Sequence, residues 1–224
     1  GGTSLKGSFS ADGSGIVSAK CFPENIEIKS RLSFNLTPLG QPYSVIAHRS
    51  LFALPQQPMA MRMQDNRVGY FYSDKSIYTT EQDRLLRRTF IHRWRMEPRP
   101  EDMDRYFNGE LVNPRKPIVF YVDTAFPEKW RATIRQGIED WNTAFEKAGF
   151  KNAIRAVDYP ANDPNFDPDD MRYSCFKYAA TPTANAMGPS HIDPRTGEIL
   201  TADVIWYHNR LSLLHNWRFV QTAA

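Results

Sequence analysis

From Asn25 onward the chain alternates strictly. Ile26, Ile28, Ser30, Leu32, Phe34 and Leu36 fall on one side of a period-two pattern, and Glu27, Lys29, Arg31, Ser33 and Asn35 fall on the other. That pattern predicts a long half-buried strand. Pro38, Leu39 and Gly40 supply a turn, and residues 43–54 read as a second strand, so the pair predicts an antiparallel hairpin. Pro55 and Pro58 then break the pattern. Residues 68–72 predict a short turn and strand. Another strand is predicted where Phe90, His92, Trp94 and Met96 alternate with Arg93 and Arg95. His92 is expected as a packed strand histidine rather than a ligand. Met59, Met61 and Met63 are expected as core or loop packing. The Gly- and Ser-rich start predicts a flexible lead-in, placed over residues 1–19, with a mainly β domain over 20–112.

The pattern changes after Pro114. Residues 117–122 are continuously apolar, as expected of a strand buried on both faces. Trp130, Ile134, Ile138, Trp141, Phe145 and Ala148 then recur at helical spacing and form one apolar stripe. They predict a single helix over 127–148, about 33 Å long, with Pro127 in its first turn and Gly149 just past its end. Residues 153–157 predict the next strand. A strand, a helix and a strand make a crossover unit, so these two strands are expected to be parallel. After a polar loop, residues 174–180 predict a third strand. Asp193, Pro194 and Gly197 mark a hairpin turn. Beyond it Leu200, Ala202, Val204 and Trp206 are expected to face the core, with Thr201, Asp203 and Ile205 on the other side. Residues 209–224 read as irregular or weakly helical.

Composition adds limits. The chain has 224 residues, 41% of them apolar and 24% charged, which is ordinary for a folded globular protein. No apolar run is long enough to span a membrane as a helix. Net charge is +3, and the arginines between Arg84 and Arg99 are followed at once by Glu101, Asp102 and Asp104. A solvated strand face accounts for them, and no nucleic-acid partner is expected. Cys21 and Cys175 allow either one disulfide or two thiols.

The histidines are His48, His92, His191, His208 and His215; none precedes Glu and no two are four apart, so no helical zinc motif is present. Asp163, Asn165, Asp167 and Asp169 alternate like the start of a calcium loop. Pro168 and Ser174, however, stand where that loop needs Gly and Glu, so a solvated turn is expected. No nucleophile elbow and no phosphate-binding glycine loop occurs.

Residues 116–123 (KPIVFYVD), 128–154, 167–174 and 183–206 (TANAMGPSHIDPRTGEILTADVIW) resemble bacterial zinc-dependent metallopeptidases of metzincin type. Residues 66–73 and 90–98 resemble the uncharacterised domain that precedes the catalytic domain in that group. The resemblance implies an α+β fold. A mainly β N-terminal region would be followed by a metzincin-like upper subdomain, a twisted mixed sheet with one long helix packed on it, over 113–224. It implies a parent hydrolase that cleaves peptide bonds with zinc. It also implies that HExxH lies beyond Ala224, so no catalytic residue, metal ligand or bound cofactor is expected in this chain, and the chain alone is expected to be inactive. The substrate-binding edge strand maps onto Ile199, Leu200, Thr201, Ala202, Asp203, Val204, Ile205 and Trp206, where a peptide or protein substrate would add as a further strand. Self-association through that edge is a further expectation. Location is expected in the secreted or cell-envelope compartment. Two alternatives stay open: a non-catalytic module that binds peptides by strand addition, and a shielding role for the β half.

Overall fold

The computed structural model describes residues 6–222, a mix of α and β in which strands dominate. It divides into two compact units. The first holds residues up to Ala53 together with Asp169–Met171, and the second holds Leu54–Pro168 and the residues from Arg172 on. The main division between these units thus falls between Ala53 and Leu54.

In the first unit Gly7–Cys21 (β1), Asn25–Leu36 (β2) and Gln41–Phe52 (β3) form an antiparallel sheet in the order β1-β2-β3. The hairpin of β2 and β3 pairs Ile26 with Leu51 and Phe34 with Tyr43. Strand β1 corrects the expectation of a flexible lead-in over residues 1–19: from Gly7 the chain is hydrogen-bonded along β2, with Phe9 opposite Phe34 and Ala19 opposite Ile28. The small residues serve a bulge between Ser10 and Gly15. There the Ser33 hydroxyl donates to the Gly13 carbonyl, and a Cβ on Gly13 would come within 2.8 Å of the Ser33 side chain. Residues 1–5 of the expected lead-in lie outside the described residues.

Several polar residues of this sheet are buried, and they come from both sides of its alternation, Ser30 on the apolar side among them. Asn25, Glu27 and Ser33 are buried, while Ile26 is 40% exposed. Hydrogen bonds make that possible. The Glu27 carboxylate accepts from the Asn25 amide at 2.6 Å and the Ser50 hydroxyl at 2.5 Å, and it lies 2.7 Å from His48 Nε2. Asn25 also donates to the Asp169 carbonyl and accepts from the Met171 N–H, so Asp169–Met171 lies over that side. Buried polar groups with full partners carry little penalty.

In the second unit Tyr72–Ile77 (β4) and Leu86–Ile91 (β5) form a hairpin whose end, Phe90 and Ile91, is buried. Strand β4 starts four residues later than the sequence predicts, and β5 stops before His92. His92 rests against the Ser73 hydroxyl at 2.7 Å, and burial pulls its pKa down, as suits a packed histidine. After a short helix, Met103–Phe107 (α1), the main sheet begins with Ile118–Val122 (β6).

The remaining elements are Glu128–Glu139 (α2), Asn142–Lys147 (α3), Ile154–Asp158 (β7), Ser174–Ala179 (β8), Ala186–Met187 (β9), Ser190–Ile192 (β10), Ile199–Ala202 (β11), Val204–Tyr207 (β12) and Arg210–Thr222 (α4). Five strands form one sheet in the order β7-β6-β8-β12-β9, while β10 and β11 form a separate pair. Strand β6 runs parallel to β7 and β8, as the crossover pattern predicts, and β12 runs parallel to β8. Strand β9 is antiparallel to β12. Ile118, Val122, Phe126, Ile138, Ile154 and Ala156 form the core.

The single long helix is corrected to two. It breaks at Asp140 and Trp141, because the Asn142 side chain takes the Glu139 carbonyl and also bonds both backbone groups of Ile154 in β7. Asn142 therefore ties the helix to the strand at the cost of a regular turn, and Trp141, placed on the apolar stripe by its spacing, is 63% exposed. The final segment is helical from Arg210, more regular than its sequence suggests. Both cysteines are free thiols, Cys21 exposed and Cys175 buried.

Candidate functional site

The segment 199–206 does not form one edge strand. Ile199, Leu200, Thr201 and Ala202 lie in β11, paired with β10: His191 stands opposite Thr201 and Ser190 opposite Ala202. Thr201 is buried against the Ser174 hydroxyl at 3.3 Å, which corrects its predicted outward direction. Val204, Ile205 and Trp206 lie in β12, flanked on one side by Phe176, Lys177 and Tyr178 of β8 and on the other by β9. They are therefore interior to the sheet, and β9 is its outermost strand on that side.

Asp203 is the reason for the break. One carboxylate oxygen accepts the Cys175 N–H at 2.9 Å, and the other meets Lys177 Nζ at 2.7 Å. Its side chain thus takes a backbone donor of β8, and the strand resumes in new register at Val204. Cys175 beneath it is fully buried, and burial pushes its thiol pKa up to about 11. That thiol is a packed group, not an activated nucleophile.

The turn before β11 is built as its residues predict. Asp193 is fully buried and accepts from the Arg195 N–H and from the Arg195 guanidinium through both oxygens. The guanidinium holds the Asp193 carboxyl below its ordinary pKa. Gly197 adopts φ of 78°, and a Cβ there would sit 2.3 Å from the Ile91 carbonyl oxygen. Only glycine fits that position. Glu198 follows, buried, with Oε2 lacking a hydrogen-bond partner among the described residues and Arg95 Nη1 3.9 Å away. Burial raises its pKa.

The face of the five-stranded sheet that carries α2 holds an open apolar cavity of about 620 Å³. Trp206 and Val204 line it from β12, Phe176 from β8 and Phe120 from β6. Ile134, Gly137 and Trp141 line it from the helical side. The sequence places Ile134 and Trp141 on one apolar helical stripe and does not announce a cavity beside it. Gly137 inside the helix was the available signal, since its Cα leaves open space where a side chain would pack.

The histidines do not assemble. His208 is bonded through Nδ1 to the Tyr178 hydroxyl and rests on Trp130. In the acidic loop Asp163 caps the N–H of Asn165, and Asp169 pairs with Lys20 at 2.8 Å. Among the described residues no three His, Cys, Asp or Glu side chains are grouped to hold a metal ion. Among them, too, no helix is long and apolar enough to cross a membrane.

Residues 2–99 match the model of a domain of unknown function, DUF5117. No curated protein and no solved structure matches the chain.

Proposed function

We propose that the second unit is the upper part of a metzincin-type zinc metalloendopeptidase, and that its outermost strand β9 receives the peptide to be cut. One observation carries the reading. Strands β7, β6, β8 and β12 run parallel, β9 closes the sheet antiparallel, and α2 packs on one face beside an open cleft. The motif-level resemblance of residues 116–206 supports the same assignment.

Among the described residues no further strand follows β9 in that sheet, so an extended peptide adds there through main-chain hydrogen bonds. Strand β9 is two residues long, so strand addition alone supplies few bonds, and side-chain contacts must provide the rest of the affinity. The role of 199–206 is then indirect. Strand β12 holds β9, and Asp203 with Lys177 fixes the register of β12 on β8.

The described residues do not fit a zinc centre, so no catalytic step is assigned to them. In this reading the metal and the group that activates water lie outside them, and this unit binds and orients substrate. The resemblance also places the intact protein in the secreted or cell-envelope compartment.

Metal analysis of the intact protein tests the reading. One zinc per chain is expected, with peptide hydrolysis lost in a chelator and restored by zinc. Hydrolysis unchanged after metal removal, or an intact protein that holds no zinc, overturns it. Peptide binding without any hydrolysis by the intact protein would favour a non-catalytic strand-addition module instead.

A further inference from the structure

We propose that the apolar face of the β1-β2-β3 sheet is a self-association surface, on which a second copy of this chain stacks face to face. The pairing puts Phe9, Phe34 and Tyr43 in one row across the three strands, and Cys21, Ile26 and Leu51 in another. Ile28, Leu32 and Val45 lie between those rows. The rings of Phe9 and Phe34 already meet edge to face at 5.9 Å. Yet Phe9 and Leu51 are each 58% exposed and Ile16 is 73% exposed. Isolated exposed apolar residues are ordinary, but a contiguous face across three strands marks an interface.

Size and charge decide the occupant. The twelve residues of β2 at about 3.3 Å each, with three strands about 4.8 Å apart, give a face of about 40 by 14 Å. That is about 560 Å² of flat projection per copy and about 1,100 Å² for two, just above the roughly 1,000 Å² that a specific interface needs. The face is the broad side of a three-stranded antiparallel sheet. A second sheet matches it, stacking about 10 Å away with strands aligned within about 30°. Arg49 is the one charged residue among the positions paired on this face. It sits on β3, an outer strand, from which its head reaches solvent. With that charge at the margin, the apolar rows oppose a copy of themselves without charge repulsion, as a two-fold interface requires.

The test is sedimentation equilibrium of the 224-residue chain across the micromolar range. A reversible dimer is expected, with a Kd in the micromolar range. The double variant Phe9→Lys and Leu51→Lys should weaken it by about 100-fold or more. Both positions are exposed in the single chain, so circular dichroism of the variant should be unchanged. Alkylation of the wild-type thiols gives a readout that needs no variant. Cys21 lies on this face and should react more slowly as concentration rises, while Cys175 stays unreactive throughout. A chain monomeric at every concentration overturns the proposal, as does a dimer that the two lysines leave intact. Monomers that float with phosphatidylcholine vesicles also overturn it, since lipid would then be the occupant.

Discussion

The three-stranded and five-stranded sheets bury different kinds of residue. In the five-stranded sheet the apolar residues go inward: Ile118, Val122, Ile154 and Ala156 pack with Phe126 and Ile138, as the hydrophobic effect demands. In the three-stranded sheet the polar Asn25, Glu27, Ser30 and Ser33 are covered, while the apolar Phe9, Ile26 and Leu51 stay open. Periodicity identifies two faces of a strand but not which one is covered. Polar residues are buried when their groups find each other, as Glu27 finds Asn25, Ser50 and His48.

If that contrast is right, truncations should separate the sheets. Phe126→Ala removes a fully buried ring that touches Phe176 and Tyr178 and should cost about 3–5 kcal/mol in denaturant unfolding. Gly197→Ala should be nearly as damaging, about 3–4 kcal/mol, because its Cβ meets the Ile91 carbonyl at a positive φ. In the three-stranded sheet the polar side should be the sensitive one. Glu27→Ala leaves its donors without an acceptor in a covered site and should cost about 3 kcal/mol. Leu51→Ala on the open side should cost less than about 1 kcal/mol, measured at concentrations where the chain is monomeric. Equal costs at Leu51 and Phe126 would erase the distinction.

Proton linkage sharpens the comparison within the turn before β11. The Asp193 carboxyl has a lower pKa folded than unfolded, so its stabilisation is complete above about pH 4 and fades as pH falls through the folded value. Glu198 has the opposite sign. Burial raises its pKa, so stability is lost as pH climbs above its ordinary value of 4.5. Glu198→Gln should therefore flatten the loss above that pH and leave the acid limb from Asp193 in place, as read from unfolding midpoints against pH. An unchanged profile would remove Glu198 from the account.

Much of the fold was legible in local pattern. Strands β2, β3, β6, β7 and β8 lie within two residues of their predicted spans, and the turn at Asp193 to Gly197 is built from the residues that announced it. What failed depended on contacts distant in sequence. The helix splits because Asn142 reaches the backbone of Ile154, and no helical spacing encodes that bond. Residues 7–19 became a strand because β2 offered a partner to a Gly- and Ser-rich segment. The outermost strand was placed at 199–206, although β9 occupies that position. Strand order in a sheet is set by chain crossovers, and a two-residue strand at Ala186 and Met187 leaves almost no periodic trace.

The most direct measurement is hydrogen exchange of the whole chain with and without an extended substrate peptide. Slowed exchange concentrated at Ala186, Met187 and Gly188 is the result predicted for a peptide added beside β9. Exchange unchanged there, with protection only along Gln41–Phe52 or nowhere, would contradict the claim that the five-stranded sheet offers its outer strand to substrate.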